Sequence, residues 1–397
     1  MDIFKKCYIP SLKDEAKERN IYPYFHALES RQDTEVIMEG KRRIMLGSNN
    51  YLGLTTCPEV IEAGVEALKT LGSGCSGSRF LNGTLKLHLE LEAELADFLG
   101  TEDAMTFSTG FQSNLGIISA IARLGDYILC DAENHASIYD ACKLSYAKTF
   151  TFKHGDMADL ERQLKILSEK SGGILIVTDG VFSMSGDIAD LKSICRLAKE
   201  YGARVMVDDA HGLGVLGDGG RGTAHYFGLE KEVDIFMGTF SKSLASLGGY
   251  MAAKHDVVDY VRHASRPFIF SASIPPASAA CALAALRHLR AHPELPKRLM
   301  SLSNHLRSAL TQKGVKIISS NTPVVPIYTY EVIETLEAAK EIYDRGVYLN
   351  PALPPATPEH GALLRTSCMA THTEALLDEA ADIIASVINE RISAPKI

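Results

Sequence analysis

Val205-Met206-Val207-Asp208-Asp209-Ala210-His211-Gly212 is an apolar run that stops at two carboxylates and an imidazole. Such a run reads as a buried strand of a parallel sheet with polar groups at its carboxyl end, the edge where open α/β sheets bind ligands. Val233-Asp234-Ile235-Phe236-Met237 reads the same way and leads into Gly238-Thr239-Phe240-Ser241-Lys242-Ser243, after which Leu247-Gly248-Gly249-Tyr250 reads as a flexible turn. Helical patterns such as Val60 to Leu68 and Leu85 to Leu99 alternate with strands expected at 126–130, 174–178, 204–208 and 234–238. That alternation predicts an α/β fold with a mostly parallel central sheet and helices on both faces.

Three segments follow from this pattern. Residues 1–45 read as an N-terminal arm with a short helix and small strands, and residues 46–285 as a large ligand-binding domain. A helical run from Ala277 to His292 breaks near Pro293 and Pro296. Residues 286–397 then read as a smaller α+β domain, with strands near 324–330 and 362–367 and helices at 333–344 and 373–391.

The strand ends carry the chemistry. A lysine at position 242 is expected to be partly desolvated among small hydroxyl residues, and desolvation favours the neutral amine that forms a Schiff base with an aldehyde. Thr239, Ser241 and nearby N–H groups suit a phosphate. Asp208 placed against a pyridine nitrogen would keep it protonated, so that the ring takes up the electron pair released at an amino-acid Cα. Together these read as a pyridoxal 5'-phosphate site. Phe107-Ser108-Thr109-Gly110-Phe111-Gln112-Ser113-Asn114 opens an apolar helix whose first N–H groups and dipole suit the same phosphate. His135 follows the strand Tyr127-Ile128-Leu129-Cys130, where its imidazole can stack on the ring, and Ser183 follows Ile174-Leu175-Ile176-Val177, where it can reach the phenolic oxygen.

Composition permits this reading and narrows the partners. A chain of 397 residues with 46% hydrophobic content can bury a large core, and a net charge of −8 without a basic run argues against nucleic-acid binding. The eight cysteines (7, 57, 75, 130, 142, 195, 281 and 368) show no C-x-x-C spacing, so reduced thiols in a cytoplasm are expected and no metal site is. No signal-peptide pattern or membrane-length apolar run is present. Ile3, Phe4, Lys5 and Lys6 are weak candidates for peripheral membrane contact, against a frayed or dimer-contact arm.

The set Asn49-Asn50-Tyr51-Leu52-Gly53-Leu54, Thr109-Gly110-Phe111, Asn134-His135-Ala136-Ser137, Asp208-Asp209-Ala210-His211-Gly212 and Gly238-Thr239-Phe240-Ser241-Lys242 closely resembles the α-oxoamine synthases. The resemblance spans about residues 20 to 390 and implies a fold-type I pyridoxal phosphate transferase. Such enzymes condense an amino acid with an acyl thioester and lose CO2. Residues 72–84, 238–249 and 354–358 resemble the branch that joins L-serine to a palmitoyl-CoA-like thioester to give 3-ketosphinganine, the first step of sphingolipid synthesis, rather than glycine- or alanine-using relatives.

The resemblance implies roles residue by residue. Lys242 would be the Schiff-base and proton-transferring lysine, Asp208 the partner of the pyridinium nitrogen, and His135 the stacked ring, able to hold the substrate carboxylate or polarise the thioester. Ser183 and His211 would bond O3′, while Gly110, Phe111, Thr239 and Ser241 would hold the phosphate. Ser271 and Ala272 would reach the phosphate of a partner subunit, which implies a homodimer with shared sites. Arg365 would hold the substrate carboxylate with Asn49 and Ser78 nearby, and the stiff loop Pro351 to Pro358 would line the acyl entrance. The donor is left open between acyl-CoA and an acyl carrier protein thioester. Glycine C-acetyltransferase, more remotely an aminotransferase or lyase, and a non-catalytic scaffold remain the rival readings.

Overall fold

The computed structural model describes residues 2–391. The chain divides into two compact units, one of Asn49–Met300 with Ser320–Pro323, the other of Met1–Ser48, Ser301–Ser319 and Val324–Ile397. An antiparallel hairpin of β1 (Glu35–Met38) and β2 (Lys41–Met45) belongs to the second.

The first unit is built on β3 (Asp103–Phe107), β4 (Tyr127–Asp131), β5 (Lys148–Phe152), β6 (Ile174–Asp179), β7 (Arg204–Asp208), β8 (Ile235–Thr239) and β9 (Gly249–Ala253). They form one sheet in the order β3-β9-β8-β7-β6-β4-β5, in which β9 alone runs against its neighbours. Alternate residues Met105, Phe107, Ile128, Cys130, Leu175, Val177, Met206, Ile235, Met237 and Met251 enter one core cluster with Ile117, Ile118 and Ile138 from two helices. The intervening Ala104, Leu129, Ile176, Val205, Val207 and Phe236 are buried as well. Because strand side chains alternate faces, burial of both sets means that both faces are covered.

Four of these strands lie where the apolar runs place them, with ends within one residue. The other three were not legible. β5 (Lys-Thr-Phe-Thr-Phe) is an edge strand exposed over its first four residues, and β3 is short and polar at its start. Gly249 and Tyr250, read as part of a turn, instead open β9; only Gly248, at φ +137°, turns the chain. Packing overrides propensity there, since all of β9 is buried between β3 and β8. Helices Pro58–Leu71, Lys86–Leu99 and Pro276–Ala291 match the expected helical runs.

In the second unit β10 (Val324–Tyr330), β12 (Asn350–Ala352) and β13 (Ala362–Ser367) form an antiparallel sheet in the order β10-β13-β12. β11 (Val347–Tyr348) pairs in parallel with β2, Val347 opposite Ile44. That pairing groups the first 48 residues with the C-terminal segments, whereas the sequence suggests three consecutive pieces divided at 45 and 285. Among the described residues no helix is long and apolar enough to cross a membrane.

Candidate active site

The carboxyl ends of the parallel strands are polar. β4 ends in Asp131, β6 in Asp179, β7 in Asp208 and β8 in Thr239. Above β6, β7 and β8 lies a cavity of about 220 Å³ whose walls include Gly110, Phe111, His135, Asp208, His211, Thr239, Ser241 and Lys242. These are eight residues singled out from the sequence as cofactor ligands, brought together from segments up to 132 residues apart (242 − 110).

One end of the cavity is a helix N-terminus. Thr109 caps the helix Gly110–Ile121, its Oγ1 accepting from the Gln112 N–H at 3.1 Å. The N–H groups of Gly110 and Phe111 lie in the first turn, which has no intrahelical acceptors and carries the positive end of the helix dipole. Glycine is required here for approach: a Cβ on Gly110 would lie 2.8 Å from Thr239 Cβ, and one on Gly249 would lie 2.8 Å from Gly110 Cα. The Thr239 hydroxyl donates to the Gly248 carbonyl at 2.9 Å and stands 2.9 Å from Ser241 Oγ.

The middle of the cavity is acidic and buried. Asp208 Oδ2 accepts from Asn114 Nδ2 at 2.7 Å, and Oδ1 from the Ala210 N–H at 3.0 Å. Asp179 is its cross-strand neighbour on β6. Burial, reinforced by the Asp208 charge and opposed by Lys242, holds the Asp179 carboxyl well above the usual carboxylate range. Burial pushes the His135 imidazole down; the Asp208 charge resists and Lys242 adds to the fall. His135 Nδ1 lies 2.7 Å from Ser137 Oγ, and its ring meets Phe111 edge-on at 6.5 Å between centroids. His211 Nδ1 lies 2.6 Å from the hydroxyl of Tyr51, a fully buried residue whose hydroxyl also stands 3.5 Å from Asn49 Oδ1.

The remaining expected residues sit elsewhere. Ser183 is outside the cavity wall, on a loop closed by the Val181–Ile188 bridge. Ser78 bridges Ala272 in antiparallel fashion, next to Ser271, and Ser273 N–H donates to the Gly77 carbonyl at 3.0 Å; none of these lines the cavity. Arg365 is buried on β13 of the other unit, opposite Pro326 and Asn350. Asn114, Ser137, Asp179 and Tyr51 have no role that the sequence alone predicts. Asn114 carried a usable signal, lying one helical turn after Gly110 and so on the same face. Away from the cavity Cys57, Glu59 and His288 bring ligand atoms within 4.8 Å, although no metal spacing marked them; the thiol bonds Glu59 Oε2 at 2.9 Å.

The pattern of the class I and II aminotransferases matches residues 41–384. The chain belongs to that family. It is 47% identical to a serine palmitoyltransferase of Sphingobacterium spiritivorum, over 96% of this chain and 95% of the relative, and 48% identical to one of Bacteroides thetaiotaomicron, over 92% of each. A solved serine palmitoyltransferase with pyridoxal phosphate superposes with a TM-score of 0.95 at 38% identity, covering 98% of this chain and 99% of the other. The fold-type I architecture and the α-oxoamine synthase resemblance are thereby borne out.

The residues present fit pyridoxal phosphate. A half-buried lysine, an acceptor-only carboxylate at a strand end and a helix N-terminus opposite a hydroxyl pair share one small cavity. Two buried oxygens on its wall, Asn114 Oδ1 and Asp179 Oδ1, have no hydrogen-bond partner within the protein. A buried polar cavity with unmet groups is built for a polar guest.

Proposed function

We propose that this protein is a serine C-palmitoyltransferase. It joins L-serine to a palmitoyl-CoA-like thioester, giving 3-ketosphinganine, CO2 and the free thiol. The observation that carries the chemistry is the placement of Lys242 and Asp208 on the wall of one cavity beside a helix N-terminus. The substrate reading is supported by identity of 44–48% to serine palmitoyltransferases, against 40–42% to 8-amino-7-oxononanoate synthases.

When bound, pyridoxal phosphate supplies an aldehyde for the amino group and a ring that accepts the electron pair released at Cα. Lys242 would hold that aldehyde between turnovers, take the Cα proton of serine and return one at the end. Asp208 would pair its carboxylate with the ring nitrogen, and Gly110, Phe111, Thr239 and Ser241 would supply donors for the phosphate. Ser183 and His211 would bond O3′, the latter ring held by Tyr51. Arg365 would bind the serine carboxylate in two parallel hydrogen bonds until that group leaves as CO2, with Asn49 and Ser78 nearby. His135 would cover the ring and hold the carboxylate or polarise the thioester carbonyl. Ser271 and Ala272 would complete the phosphate site of a second subunit in a homodimer. We place the reaction in the cytoplasm, in keeping with eight cysteines that are all free thiols.

The deciding experiment offers serine, glycine and alanine separately, each with palmitoyl-CoA, a palmitoyl carrier protein or acetyl-CoA, and weighs the products. A C18 amino ketone from serine alone is expected. Product from glycine and a short acyl donor, with none from serine, would favour glycine C-acetyltransferase.

A further inference from the structure

We propose that the Asp208 carboxylate fixes which ring nitrogen of His135 carries the proton, acting through Asn114 and Ser137, and that these two are positioning residues for the histidine. A carboxylate can only accept, so the Asn114 amide must turn its NH2 and not its carbonyl to Asp208 Oδ2, 2.7 Å away. The same Nδ2 lies 2.8 Å from Ser137 Oγ. Two amide hydrogens meet two acceptors, and Ser137 Oγ, having accepted one, has its own proton left to give. Its remaining neighbour is His135 Nδ1 at 2.7 Å, which also receives the Ser137 backbone N–H at 3.3 Å. Nδ1 is therefore an acceptor twice over, and the neutral ring carries its proton on Nε2.

Asn114, Ser137 and Asp208 are 0%, 1% and 4% exposed, so the whole relay is held within the protein. The orphaned Asn114 Oδ1 points the same way: the amide is oriented by its two acceptors, even though its own carbonyl goes unmet. Burial favours the neutral ring on which a tautomer has meaning. The result is an imidazole that presents a fixed N–H donor to the cavity whose wall it forms.

The consequence for turnover rests on the function proposed above; the tautomer does not, and the test separates them. Holoenzyme labelled with 15N at histidine is read by two-bond 1H–15N correlation, which shows which nitrogen bears the proton. The wild type should give the Nε2–H pattern at His135, Ser137→Ala and Asn114→Leu should lose it for a mixed or Nδ1–H pattern, and Ser137→Thr should keep it. Turnover in Ser137→Ala should fall on the order of tenfold or more in kcat, with Ser137→Thr recovering it. An Nδ1–H pattern in the wild type, or an unchanged Nε2–H pattern in both Ser137→Ala and Asn114→Leu, overturns the proposal whatever the activity does. A tautomer that shifts as expected in an enzyme that makes no product from serine sustains it and removes the substrate reading instead.

Discussion

Lys242 and Arg365 make separate demands on the same reaction. Lys242→Ala should leave a folded protein, by circular dichroism, that has lost both turnover and the visible absorbance of lysine-bound cofactor. Borohydride labelling of any other lysine would refute the assignment. Arg365→Ala should weaken serine binding by about 2–5 kcal/mol, the loss expected when one partner of a buried charge pair is removed, with Arg365→Lys recovering part because a point charge cannot reproduce the guanidinium fork. The serine-dependent absorbance change reads this directly, and unaltered affinity in Arg365→Ala would move carboxylate recognition to another group. Lys242, Asp208 and His135 were legible because each ends or follows an apolar strand, and strand ends are where such sheets bind. Ser137 and Asp179 were not, and Asn114 showed only its place on the Gly110 face of the helix. Their importance lies in cross-strand register and side-chain bonds, such as Asp179 opposite Asp208, which no spacing encodes.

Elements are held in place by contacts of the same kind. His154, just after β5, bonds Asp131 at the end of β4 and Asp187 on the Ser183 loop, each at 2.9 Å. Burial works against its charge, but the two carboxylates overcome burial and raise its pKa to about 10. A raised folded pKa means that this clamp contributes fully below the unfolded value of about 6.5 and is lost as pH climbs through about 10. Asp187, whose pKa the His154 bond lowers against the pull of burial, sets the acid side, where the contribution fades as the carboxylate protonates. His154→Ala should cost roughly 1–3 kcal/mol at neutral pH. Melts of wild type and variant should converge above about pH 10; a gap that persists there would mean lost packing and not lost charge. Gly249→Ala tests a second joint, since its Cβ would meet Gly110 Cα at 2.8 Å and Ser113 Oγ at 2.5 Å. The variant should lose about 1–3 kcal/mol and release cofactor more readily, measured by dialysis, because the helix N-terminus must move off Thr239. β9 escaped the sequence reading for a related reason. Glycine and alanine suit a strand only when neighbours on both sides leave no room for more.

At the scale of the whole molecule, the proposed homodimer has a quantitative signature. Ser271→Arg and Lys242→Ala chains should each be inactive alone. If Ser271 serves the partner's site, a mixed dimer restores one site: the Ser271→Arg chain keeps Lys242 and receives an intact Ser271. Equal mixing should then recover about one quarter of wild-type turnover, from half the dimers with one of two sites working. No recovery would place Ser271 in its own subunit's site. Pairings that join distant ends of the chain, such as Val347 with Ile44, were beyond the sequence because no local pattern marks a partner about 300 residues away.

The position of β9 also sets an order of events during synthesis. β3 joins the sheet only through β9, so the strand that leads into the helix at Gly110 stays unpaired until Ala253 has left the ribosome, and until then that helix is held by side-chain bonds such as Asn114 to Asp208. A nascent chain shorter than that carries Asp208, His211 and Lys242 but has no fixed phosphate cup to face them. Cofactor capture is therefore expected late, once the sheet is complete, and a stalled chain whose Lys242 has emerged but whose β9 has not should fail to retain the vitamin.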